Sequence, residues 1–183
     1  MALAACDGQF DCLPYRDEPY RATLDEIEEH FVGRAPVDTR SRRGLIMRAL
    51  RLHCDIVDRI ADRQEITTKT ILDGGFVTWK PNIPEDADLV VVVPPQTFSH
   101  FTKESLLPLW TLSAVNATLG EDGLEVASGE LKPGFGLVDC YVAPMLPTAL
   151  NRWHNTWSTV RDPETRDIVD GARKGYIEVV RER

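Results

Sequence analysis

Three short apolar runs stand out in the pattern of hydrophobic and polar positions. Asp88 is followed by Leu-Val-Val-Val-Val at 89–93, a run typical of a strand buried on both faces. Residues 137–142 (LVDCYV) form a second buried run, and residues 66–72 (ITTKTIL) have the Ile and Thr content of a strand. The pattern therefore predicts three strands near the middle of the chain.

Helical periodicity surrounds these strands. Thr23 to Glu26 have the form of a capping box, which predicts a short helix ending near Gly33. A longer helix is predicted over 38–63, with one apolar face made of Leu45, Ala49, Leu52, Ile56 and Ile60. We expect further helices over 102–119 and 148–160, a hairpin in the glycine-rich segment 120–136, and a terminal strand over 175–181.

Mixed helices and strands predict an α/β (α+β) fold, a mixed β-sheet flanked by helices. At 183 residues the chain is expected to form a single domain over 1–183. Its core is expected at about 66–142, after an extended N-terminal arm over 1–22 and before a C-terminal helix and strand over 147–183.

Composition narrows the functional classes. The net charge of -8 argues against a surface that binds nucleic acid everywhere, although a local basic patch stays open. The four cysteines form no CxxC pair, so we expect free thiols in a reducing cytoplasm, with a Cys6–Cys12 disulfide left open. No signal peptide or membrane-length apolar run is found, so the expected protein is cytoplasmic and does not bind a membrane.

Three aspartates carry the candidate chemistry. Asp86 and Asp88 lie two residues apart, so on a strand they share one face and repel each other unless a cation lies between them. Asp139 interrupts a buried strand and needs a metal ion or a partner such as Arg152. If the two strands are neighbours, the three carboxylates converge on a site that suits Mg²⁺ (or Mn²⁺).

Gly74 and Gly75 follow the first predicted strand, where a turn can direct backbone N–H groups towards a triphosphate. Together with the three acids they describe a metal-dependent nucleotidyl transfer site. In this order, Gly74-Gly75, Asp86-Ala87-Asp88 and Asp139 resemble the signature of the polymerase-beta-like nucleotidyltransferases over residues 66–142. The signature has serine where this chain has Gly75, which puts nucleotide affinity in question unless Thr78 supplies the hydroxyl.

The order of motifs along nearly the whole chain is also similar to a small uncharacterised family of bacterial and phage proteins within that superfamily. The resemblance implies transfer of a nucleoside monophosphate from a nucleoside triphosphate to a hydroxyl of RNA (tRNA) or protein, in a toxin–antitoxin or phage-defence setting with a partner protein. Asp86, Asp88 and Asp139 would be the catalytic and metal-binding residues. The nucleotide would be bound by Gly74, Gly75, Thr78 and Lys80.

Two alternatives remain. One is a degenerate nucleotidyltransferase fold that acts as a binding module or antitoxin-like partner, which Gly75 favours. The other is a metal-dependent phosphohydrolase using the same acids. Weaker candidates for contacts with phosphate are Lys103, Arg152 and Lys174. Trp79 is a weaker candidate for stacking on a base, and His154 for a general base or a stacking surface. The arginines that begin the long helix could bind phosphate, but a solvated helix surface is favoured there.

Overall fold

A five-stranded mixed sheet forms the centre of the molecule. The computed structural model describes residues 3–6, 10–113, 115–119, 124–162, 164–165 and 167–181, with residues 115–119 and 124–128 described by their backbone. The strands are β1 (Tyr20–Ala22), β2 (Lys69–Asp73), β3 (Ala87–Val93), β4 (Val115–Leu119), β5 (Leu124–Ser128), β6 (Val138–Pro144), β7 (Thr159–Arg161), β8 (Ile168–Arg173) and β9 (Ile177–Val179).

The central sheet has the strand order β1-β9-β2-β3-β6. Strand β2 is antiparallel to β3 and to β9, whereas β3 is parallel to β6 and β1 is parallel to β9. Two separate antiparallel pairs, β4–β5 and β7–β8, complete the strands. The predicted mixed α/β fold in a single domain is confirmed, and the chain from the N-terminal arm supplies an edge strand of the sheet.

The helices are α1 (Leu24–Glu28), α2 (Arg40–Arg63), α3 (Phe98–Phe101), α4 (Pro133–Gly136) and α5 (Pro147–Trp157). Helix α1 begins with the predicted capping box at Thr23 and continues as a π-helical turn to Gly33. In α4, Gly134 and Phe135 have left-handed backbone conformations, so this element is a tight turn. None of the described helices has the length and apolar character needed to span a bilayer.

Helix α2 has the predicted length, but the predicted apolar face was wrong. Leu45, Leu52 and Ile56 are 40%, 62% and 36% exposed, while Ile46 and Leu50 are fully buried. The buried face also contains Arg43 and His53, which interrupt its apolar pattern in the sequence.

Strand β3 is buried on both faces, as predicted. Leu89, Val91 and Val93 pack in the main core with α2, and Val90 and Val92 pack in a second cluster that includes Trp157 of α5. The sheet is therefore covered on each side, and its central strand is held in one register because residues of both faces are fixed by packing.

The prediction of a helix over 102–119 was wrong. The structure has a 3₁₀ segment at Glu104–Leu109 that contains Pro108, followed by β4, because proline removes a helical hydrogen bond. The N-terminal arm packs against the domain through Leu13 and β1, although residues 1–2 and 7–9 lie outside the described part.

The prediction of free thiols is confirmed. All four cysteines are buried free thiols, and the Cys6–Cys12 disulfide that was left open is not formed.

Candidate functional site

The register of the central sheet places three carboxylates side by side. Asp73 at the end of β2 is paired with Asp88 of β3, and Asp88 is paired on its other side with Asp139 of β6. Asp86 immediately precedes β3 and lines the same cavity. The condition set for convergence of the acids, that the strands of Asp88 and Asp139 are neighbours, is therefore met, and Asp73 is an additional acid that the sequence motifs did not indicate.

Gly74 connects Asp73 to the following turn and lies against the middle acid of the row. Its φ is +84°, and a Cβ built on it would lie 1.5 Å from Asp88 Oδ2. Both the backbone conformation and the close approach therefore require glycine at this position. Gly75 begins a 3₁₀ turn over Gly75–Val77, and the nearest atom to its added Cβ is 3.8 Å away.

Two arginines at the start of α2 hold the loop between β2 and β3. Arg43 is completely buried and donates from Nη1 to the carbonyl oxygen of Phe76, 2.7 Å away, just after the glycines. Arg42 donates to the carbonyl oxygens of Pro84 and Glu85, just before Asp86. Arg43 is therefore not part of a solvated surface, and half-buried Arg42 holds backbone carbonyl oxygens of the site loop. Arg40 and Arg48 are exposed, as the prediction of a solvated helix surface expects.

Lys132 lies among the carboxylates at one end of the row. Its Nζ is 2.7 Å from Asp86 Oδ2, 3.3 Å from Glu130 Oε2 and 3.5 Å from Asp139 Oδ2. The cation beside Asp139 is therefore Lys132, and Arg152 does not pair with it. At the other end, buried Lys174 donates to Asp73.

Asp88, in the middle of the row, is half-buried and has carboxylates on both sides. Burial, followed by the charges of Asp86, Asp73 and Asp139, raises the pKa of Asp88 to about 7 against the opposing effect of Lys132. Burial also raises the pKa of Asp73, although Lys174 opposes the shift. The pKa of Lys132 is raised: burial acts to lower it, but the hydrogen bond to Asp86 and the charges of Asp86 and Asp139 outweigh that effect.

All the residues that the sequence assigned to the site line one cavity of roughly 500 Å³. They are Gly74, Gly75, Thr78, Lys80, Asp86, Asp88 and Asp139. Thr78 uses its hydroxyl to donate to the carbonyl oxygen of Gly75, at 2.8 Å, and Lys80 donates to the carbonyl oxygen of Arg161, at 3.1 Å. Lys132 and Lys174 also line this cavity, so it combines carboxylates with lysines.

The carboxylate oxygens of the acid row are ligands of the type that a hard divalent cation prefers. Asp139 Oδ1 is buried and has no hydrogen-bond partner in the described part of the chain. In the described residues no group of three or more His, Cys, Asp or Glu side chains is arranged to hold a metal ion as it stands. Lys132 bridges two of the predicted ligands, so a metal ion at those two carboxylates requires the ammonium to move.

The weaker candidates mostly belong to other parts of the structure. Trp79 stacks on His30 with ring centroids 4.8 Å apart and donates to the His30 carbonyl, so its ring is already packed. His154 is hydrogen-bonded to the Tyr176 hydroxyl at 2.9 Å. Lys103 and Arg152 are exposed and do not line the cavity.

The fold and the site define a mixed α/β domain with an acidic cavity at the ends of three adjacent strands. The model of a family described as "Family of unknown function (DUF6932)" matches residues 7–180, and the chain belongs to this family. Neither the curated proteins nor the solved structures contain a significant match to the chain.

Gly74→Ala is expected to destabilise the protein by about 2 kcal/mol or more, since it combines a left-handed backbone with displacement of the Asp88 carboxylate. Gly75→Ala is the matched control because its φ is outside the left-handed region and an added Cβ would make only an ordinary van der Waals contact, 3.8 Å from Pro84 Cβ. Urea denaturation of both variants measures the difference. Equal losses of stability in the two variants would contradict the assigned role of Gly74.

The raised pKa of Asp88 predicts a specific pH dependence of stability. Between its ordinary value of 3.8 and about 7, the folded protein retains a proton that the unfolded chain releases. Wild-type stability should therefore fall as pH rises through this window. Asp88→Asn has no proton to lose, so its stability relative to wild type should increase with pH, by at most about 1.4 kcal/mol per unit.

Chemical denaturation at pH 4 to 8 measures this difference. Asp55→Asn is the control, because Asp55 lies 54% exposed on α2 and pairs with Arg59. A stability difference between Asp88→Asn and wild type that stays constant over the whole range is inconsistent with a raised pKa at Asp88.

Proposed function

We propose that this protein is a metal-dependent nucleotidyltransferase that moves a nucleoside monophosphate from a nucleoside triphosphate to a hydroxyl of RNA or protein. The observation that carries the proposal is the cavity in which the Gly74-Gly75 turn meets Asp86, Asp88 and Asp139. The two glycines lie close in the sequence to Asp86 and Asp88, and the pairing of β6 with β3 brings Asp139 beside them from a later part of the chain.

The acids have distinct surroundings that fit distinct roles. Asp86, Asp88 and Asp139 would hold Mg²⁺ or Mn²⁺, which when bound neutralises phosphate charge and aligns the reacting groups. Asp139, whose Oδ1 is buried and has no hydrogen-bond partner in the described residues, would also help to deprotonate the attacking hydroxyl. Lys132 must leave Asp86 and Asp139 for this arrangement to form.

The glycine turn would supply contacts for the triphosphate beside the acid row. Gly74 and Gly75 line the cavity; the backbone N–H of Gly74 is hydrogen-bonded to the Asp73 carboxylate, so the N–H of Gly75 would bind the phosphate. Lys80 donates to a backbone carbonyl oxygen and lies close enough to Asp73 and Asp162 for its charge to act on their carboxylates. Thr78 supports the turn from inside, since its hydroxyl is buried and donates to Gly75, and so it does not replace the missing serine hydroxyl in this conformation.

A binding module without turnover is the second candidate, and Lys132 is the observation that favours it. An ammonium bound to Asp86 and Asp139 neutralises part of the acidic cluster and allows the fold to exist without a metal ion. Together with Gly75 in place of serine, this arrangement suits a protein that binds a nucleotide or a partner protein through the same cavity.

The test is transfer of label from nucleoside triphosphates labelled at the α-phosphate, in the presence of Mg²⁺, to total tRNA or to lysate protein. Wild type is expected to transfer label, and Asp88→Asn and Asp139→Asn are expected to lose at least about 100-fold of the rate. Asp55→Asn, an exposed aspartate on α2, is the matched control and should retain activity.

The alternative outcomes separate the two candidates. Metal-dependent binding of a nucleoside triphosphate without label transfer favours the binding module. Label transfer that is unchanged in both aspartate variants, or the absence of both binding and transfer, contradicts the assignment of the site.

A further inference from the structure

We propose that Lys132 is a built-in counter-ion that competes with a divalent metal ion for the position between Asp86 and Asp139. The inference rests on the proposed function to the extent that the function places a metal ion at the same carboxylates. The sequence motifs, the Gly-Gly turn and the Asp-x-Asp pair, do not predict a role for Lys132. The contacts of its ammonium group in the folded protein do.

The ammonium of Lys132 has the contacts of a bound cation. It carries one positive charge and three N–H donors, and three carboxylates lie within 3.5 Å of its Nζ: those of Asp86, Glu130 and Asp139. A metal ion bound to the same oxygens would lie next to a like charge. Because such charges repel strongly at short distance in a partly buried site, occupancy by the metal ion and by the ammonium should be mutually exclusive.

The charge balance of the site favours exchange of the Lys132 ammonium for a divalent metal ion. Among the described residues, Lys132 forms ion pairs with Asp86, Glu130 and Asp139, and Lys174 with Asp73. Lys80 adds a third positive charge near Asp73, so the five carboxylates, including Asp88, still outnumber the nearby ammonium groups. A divalent ion supplies twice the charge of the ammonium that it replaces. The acid row therefore favours the metal ion once the cost of releasing the lysine is met.

The backbone around Lys132 is fixed, so exchange needs only rotation of the side chain. Leu131 forms two backbone hydrogen bonds with Leu112, both of 2.9 Å. After Lys132 the chain turns at Gly134, where an added Cβ would lie 3.5 Å from Ala49 Cβ of α2. The lysine side chain is 23% exposed and flexible, which gives its ammonium a direct route to solvent.

Titration of the purified protein with Mn²⁺ alone, followed by calorimetry and by electron paramagnetic resonance, tests the inference. Lys132→Met is expected to bind Mn²⁺ at least about tenfold more tightly than wild type, because the competing charge is removed. Lys132→Arg keeps a cation at this position and should stay close to wild type. Lys80→Met is the matched control, because it removes a positive charge from the same cavity at a position where the ammonium donates to a backbone carbonyl oxygen and not to Asp86 or Asp139.

A second measurement uses the wild-type protein and so does not depend on the folding of a variant. Acylation of Lys132 by an amine-reactive ester, quantified by mass spectrometry, should increase when saturating Mn²⁺ releases the ammonium to solvent. Equal Mn²⁺ binding by wild type and Lys132→Met, at a measurable or an undetectable level, overturns the inference. Labelling of Lys132 that does not respond to Mn²⁺ also overturns it.

These outcomes are separate from those of the transfer assay. Tighter Mn²⁺ binding by Lys132→Met in a protein that transfers no nucleotide supports the role of Lys132 and counts against the proposed enzyme. Unchanged Mn²⁺ binding by Lys132→Met in a protein that does transfer nucleotide counts against the role of Lys132 and supports the proposed enzyme.

Discussion

Repulsion between the carboxylates of Asp73, Asp88 and Asp139 is the interaction around which this structure is arranged. Strand pairing fixes the three residues in adjacent positions, and packing on both faces of β3 prevents a change of register. Asp88 has an acid on each side, and burial, followed by the charges of Asp86, Asp73 and Asp139, raises its pKa to about 7. Strongly shifted carboxylate pKa values of this kind are common at functional sites.

The surrounding residues accommodate the acid row in three ways: by opposite charge, by space and by fixing the loop. Lys174 and Lys132 bring positive charge to the two ends of the row. Gly74 leaves space for the Asp88 carboxylate that no larger residue would leave. Arg43 fixes the turn through a backbone carbonyl and has no carboxylate partner in the described region, so its charge positions the loop without neutralising the acids.

Local pattern was sufficient to predict the acid-bearing strands, because β3 and β6 are apolar runs in which a single aspartate is conspicuous. Asp73 was not among the predicted site residues, since its role depends on pairing with β3 and not on its neighbours in the chain. Lys132 lies 46 residues after Asp86 in the glycine-rich segment where a hairpin was predicted, so only the tertiary structure brings the two together. The face of α2 was mispredicted because Arg43, a buried arginine, looks like a surface residue in sequence.

The most direct test of the account is a crystal structure of the protein soaked with Mn²⁺, with the ion located by its anomalous signal. The account predicts a Mn²⁺ peak bound by carboxylate oxygens of Asp86, Asp88 and Asp139, with the Lys132 ammonium moved away from Asp86. A Mn²⁺ ion bound only elsewhere, or bound at these carboxylates while Lys132 keeps its contacts with Asp86 and Asp139, would contradict it.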